Sequence, residues 1–65
     1  MKQNNIKIGT IITDPFHTAT LKVCDTEIDG NVRIYTCRWM EDNKLSAGTL
    51  TIFGSQMDNY WEVKE

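Results

Sequence analysis

The chain has 65 residues, with seven Lys and Arg against nine Asp and Glu, two cysteines and one histidine. That length makes a single domain, residues 1–65, and a fold so small buries only about 60% of its unfolded surface. A net charge of −2 argues against a general phosphate-backbone binder, and the Cys and His complement falls short of the paired ligand spacings of structural zinc.

No apolar run follows the polar Met1–Asn5 segment, so a secretory leader is not expected, and no stretch approaches membrane-spanning length. The expectation is a cytoplasmic protein with reduced thiols and no membrane partner.

Apolar residues recur with period two, and Thr, Ile and Val are abundant, which favours strands over helices. The first strand is expected over Ile6–Ile12, with Gly9 marking a bulge or a close backbone approach. Asp14-Pro15 ends it, since proline cannot donate to a ladder, and Phe16-His17 falls in the loop that follows. A second strand is expected over Thr18–Ile28, then a turn at Asp29-Gly30-Asn31. The third strand, Val32–Met40, is the most apolar. An acidic turn follows at Glu41–Lys44, and a fourth strand runs over Leu45–Phe53 or its later part from Gly48. Gly54–Asn59 reads as a turn with at most one short 3₁₀ segment. Tyr60–Val63 is a short last strand pairing with the first.

A three-residue Asp29–Asn31 loop would set Ile28 opposite Val32, Glu27 opposite Arg33, Val23 opposite Cys37 and Leu21 opposite Trp39. A two-residue Gly30-Asn31 turn would set Cys24 opposite Cys37. The first register gives the better apolar face, and it puts the two thiols on opposite sides of the sheet, which argues against a disulfide. It also groups Trp39, Cys37, Val23 and Leu21 in one buried cluster. Five short strands leave too much open edge for a sheet of this size, so the expected fold class is all-β: a small five-stranded SH3-like β-barrel.

Two segments resemble the YodC-like group of small uncharacterised bacterial proteins. Ile6-Lys7-Ile8-Gly9-Thr10-Ile11-Ile12 is similar to that group's opening strand, and Cys37-Arg38-Trp39-Met40-Glu41-Asp42 to its Cys-x-Trp-aromatic-Asp signature. Here Met40 replaces the aromatic, and Asp14-Pro15-Phe16-His17 stands where the group has a Gly-Gly-Pro turn. The resemblance implies a small SH3-like barrel and no particular activity.

Three constellations carry possible chemistry. Asp14, His17 and Cys24 have the residue types of an acid, base and nucleophile, but no family spacing; a loop histidine and a strand cysteine are the plainer reading. Asp25, Glu27 and Asp29 alternate on one strand, as oxygen ligands for calcium would, yet lack the EF-hand spacing and read better as a solvated edge. No metal and no cofactor is expected. The large rings are more informative. Phe16, Tyr35, Trp39, Tyr60 and Trp61 are many for so small a core, and adjacent Tyr60 and Trp61 should point to opposite faces of a strand. If Val63 is inward, so is Trp61, leaving Tyr60 outward. Exposed rings beside charges hold proline-rich peptides on SH3-like barrels and stack bases on other small barrels. Lys22 shares a face with Arg38; with Arg33 and Lys44 these either contact phosphate or join surface ion pairs with Glu27, Glu41 and Asp42.

The expected protein is therefore a non-enzymatic binding module for a protein or peptide, with Tyr60, Phe16, Tyr35, Lys22 and Arg38 as its binding residues, and with self-association through edges or rings admitted. A nucleic-acid-binding accessory protein is the alternative, disfavoured by net charge. A small enzyme using Cys24 and His17 ranks last.

Overall fold

The computed structural model describes residues 6–64; the reading of Met1–Asn5 lies outside them. The chain forms β1 (Ile11–Thr13), β2 (Thr20–Asp29), β3 (Val32–Glu41), β4 (Lys44–Phe53), α1 (Gly54–Asn59) and β5 (Glu62–Val63). The strands make one antiparallel sheet in the order β4-β3-β2-β1-β5. The sheet is open: β4 and β5 are its two edges and do not pair with each other. Mostly antiparallel sheet with one short helix is thus the class, and the last strand does pair with the first as expected.

The first strand is shorter than the sequence suggests. Thr10 N–H donates to the Lys7 carbonyl at 3.0 Å, closing a turn in which Gly9 takes φ +98°. A type II turn requires positive φ at that place, and glycine adopts it without strain. Gly9 N–H still reaches the Val23 carbonyl at 2.7 Å, so the segment lies beside β2 without continuing the ladder.

Both proposed hairpin registers are present, one in each half. Near the base Thr20, Leu21, Lys22 and Val23 face Met40, Trp39, Arg38 and Cys37, as the three-residue loop would give. Nearer the tip Asp25 faces Thr36, Glu27 faces Ile34 and Ile28 faces Arg33, as the two-residue turn would give. The shift falls between Val23 and Asp25, so Cys24 is the extra residue of a bulge. The expected Glu27–Arg33 and Ile28–Val32 pairs are accordingly displaced by one. At the tip Gly30 alone takes positive φ, +63°, the II′ pattern; Asp42 and Asn43 both do, at +52° and +67°, the I′ pattern. Both turns match the right-handed twist of their flanking strands.

The core is Ile6, Ile12, Leu21, Val23, Tyr35, Cys37, Ile52 and Met57. Burying each of the larger aliphatic side chains is worth roughly 1.5–3 kcal/mol, so losing one consumes much of a small domain's stability. The helix α1 replaces the expected 3₁₀ turn. Six residues cannot sustain a helix alone. Met57 anchors this one in the core, and Gln56 Oε1 accepts the Phe53 N–H at 3.1 Å. Phe53 has no side-chain oxygen to return, so only that half of a capping box is made.

Candidate functional site

Trp39 was expected in the core, but it is only half-buried and packs against the core from its rim. The cause lies across the strand pair. Arg38 faces Thr49 and Met40 faces Leu45, so Ser46, Ala47 and Gly48 together oppose Trp39 alone. Arg38 Nε donates to the Ser46 carbonyl at 2.9 Å, and Gly48 N–H to Ser46 Oγ at 3.3 Å, which holds the bulge. A Cβ at Gly48 would stand 3.0 Å from Trp39 Cδ1, so any other residue there would have to push the ring back by a few tenths of an ångström.

The result is a cleft of roughly 380 Å³ lined by Trp39, Met40, Glu41, Ser46 and the Thr18–Thr20 segment. Among the described residues no acceptor takes the Trp39 indole N–H. The site therefore offers a half-exposed ring with a donor, hydroxyls around it, and the exposed Glu41 in its lining, followed in the chain by the exposed Asp42. The missed signal was Ser46-Ala47-Gly48, three small residues inside a strand pattern.

The wall opposite β4 is the loop between β1 and β2, and Asp14 organises it. Asp14 Oδ1 accepts the N–H groups of Thr18 at 2.7 Å and Ala19 at 3.0 Å, and Oδ2 accepts the Thr18 hydroxyl at 2.5 Å. His17 N–H donates to the Asp14 carbonyl at 3.0 Å, and His17 takes φ +59°. The Thr18 hydroxyl, then the Ala19 amide, hold the Asp14 carboxyl below its ordinary value against the opposing effect of burial. Phe16 projects from this loop at 75% exposure, two residues from the cleft wall.

The other expected residues separate. Tyr35 is wholly buried and belongs to the core, not to a binding surface; burial first, and Asp58 nearby, raise its pKa. Tyr60 is exposed, but it is not on a strand with Trp61. It ends α1, and the two rings meet edge to face, with centroids 5.2 Å apart at 80°. Trp61 and Val63 both pack against the core, as the inward reading of that pair had it. Lys22 and Arg38 face each other directly on the outer face of the sheet. Lys64 N–H bonds to the carbonyl of Ile11, which itself faces Lys22, so a third cation joins their row.

The Asp14, His17 and Cys24 grouping is not assembled. Both Asp14 oxygens are committed to its own loop, while Cys24 sits on the β2 bulge and donates to the Lys22 carbonyl at 3.5 Å. Burial pushes the Cys37 thiol up to about 11. Among the described residues no group of three or more His, Cys, Asp or Glu is placed to hold a metal ion, and no helix is long and apolar enough to cross a membrane.

No family model matches this chain, and neither a curated protein nor a solved structure matches it.

Proposed function

We propose that the protein is a non-enzymatic SH3-like module that binds an extended, proline-containing peptide in the Trp39 cleft. Five strands in the order β4-β3-β2-β1-β5, with a helical turn before the last, support the SH3-like reading, and with it the resemblance to the YodC-like group. The observation that carries the function is the half-exposed indole, whose N–H no acceptor takes among the described residues. A flat ring takes a polyproline II segment at little entropic cost, and the N–H can bond a peptide carbonyl. Glu41, with Asp42 next to it in the chain, favours an Arg or Lys beside the proline stretch. Two unpaired thiols, one of them buried, support a reducing cytoplasmic location.

The test is a titration of isotope-labelled protein with proline-rich peptides, with and without a flanking Arg. Amide shifts should concentrate at Thr18–Thr20 and Trp39–Ser46. Trp39→Phe keeps the ring and loses the donor, so affinity should fall about tenfold. Shifts that map elsewhere, or binding that ignores this substitution, would sink the reading.

The row of Lys22, Arg38 and Lys64 favours a second reading, contact with a nucleic-acid backbone on the outer face. A single-stranded oligonucleotide in the same titration separates the two. Salt-sensitive shifts along that row would select the second.

A further inference from the structure

The geometry points to β4 as a self-pairing edge, through which two copies of this chain join in an antiparallel, two-fold β4–β4 contact. This is independent of the peptide cleft.

Which amides of β4 face outward follows from two observations. The two-residue Asp42-Asn43 hairpin makes Glu41 and Lys44 a hydrogen-bonded pair, so the odd residues of β3 turn their backbone groups toward β4. Their partners Leu50 and Ile52 answer them, and Thr49, Thr51 and Phe53 turn theirs to the open side. Phe53 confirms this parity: its N–H leaves the ladder for Gln56 Oε1. The usable edge is thereby bounded. Ser46–Gly48 bulge away at one end, and α1 occupies the Phe53 backbone at the other.

Within those bounds one register satisfies the most groups. Thr49 pairs with Thr51 of the second copy, and Thr51 with its Thr49, for about four backbone hydrogen bonds. Leu50, half-buried against the core, then meets Leu50 of the second copy on the inner face. Threonines face each other on the outer face, a favourable cross-strand pair. The register is its own mirror under a two-fold axis, which is why the occupant is a second copy. Between the bulge and α1 the edge carries no guard of its own. β4 contains no proline, and its single charge, Lys44, lies beyond the bulge.

Sedimentation equilibrium over a concentration series tests this with two double variants at the same positions. T49E/T51E sets like charges opposite each other across the contact and should weaken dimerisation by about tenfold or more. T49E/T51K sets opposite charges there and should restore it. In both, Thr49→Glu faces Arg38 within the chain, so the fold is not penalised, and circular dichroism checks that. A wild type that stays monomeric up to millimolar concentration overturns the proposal. So does a dimer that T49E/T51E leaves intact, or one that both variants abolish equally while folded.

Discussion

The Cys37 thiol has its pKa pushed from 9.0 up to about 11, by burial first and by the neighbouring Cys24 second. The folded state thus holds this proton more tightly than the unfolded chain does. Stability is whole below pH 9 and is lost as pH rises from 9 through about 11, by up to roughly 2–3 kcal/mol. Tyr35, raised by its own burial, acts in the same direction. Urea melts across this window should show the loss, and Cys37→Ala should flatten its earlier part while lowering the plateau. A wild-type profile that stays level to pH 11 would mean that the thiol is hydrated. The two terminal rings make a second case. Tyr60→Ala removes an exposed ring and an edge-to-face contact, worth about 0.5–1.5 kcal/mol. Trp61→Ala also removes packing against the core and should cost clearly more. Thermal melts of both variants decide it, and equal losses would show that the pair acts as one structural unit. Tyr35 and Trp39 show what a sequence conceals at this scale. They lie four apart on the same face of β3, so alternation treats them alike. Ile52 stands opposite Tyr35, whereas three small residues stand opposite Trp39. Depth of burial was decided by the neighbouring strand, which no pattern along β3 reports.

At the scale of elements, the hairpin of β2 and β3 was legible because its turn is marked by Gly30-Asn31 and its strands alternate. Its register was legible only at the base, where the apolar pairing favours the three-residue loop, because nothing along β2 marks Cys24 as an extra residue. The chain joins the two registers through that residue. Removing Cys24 should therefore leave Val23 opposite Cys37 and Asp25 opposite Thr36 in an unbroken ladder, with every side chain on its present face. A variant lacking Cys24 should fold, and cross-strand nuclear Overhauser contacts should preserve both sets of pairs. A collapsed spectrum would mean that the sheet depends on the twist supplied by the bulge. The first strand is shorter than its alternation suggests for a similar reason. Ile6-Lys7-Ile8 alternates like a strand, but Gly9 turns the chain, and Ile6 reaches the core from outside the ladder. The helix is not marked in the sequence because Gly54–Asn59 has little helical propensity of its own. It exists through Met57 and the Gln56 cap, which are contacts with the rest of the fold.

At the scale of the molecule, the sequence held the strand number, their order and the open turns, since each rests on local chemistry. The cleft arises only when a loop pinned by Asp14 is set against a bulge in β4, so it has no signature in any single segment. Sheet order also separates the charges from the rings. Lys22 and Arg38 start from the outer face and Trp39 from the inner one, although Arg38 reaches the Ser46 carbonyl of the bulge that faces Trp39.

The two edges of the sheet are unequal: β4 has ten residues, and β5 has two. An edge two residues long cannot template another strand, so the sheet can lengthen in one direction only. Joining two copies through β4 uses up the long edge of both. What remains is one short β5 strand at each end, and growth halts at two. The brevity of β5 thus keeps the sheet from running on into a fibre.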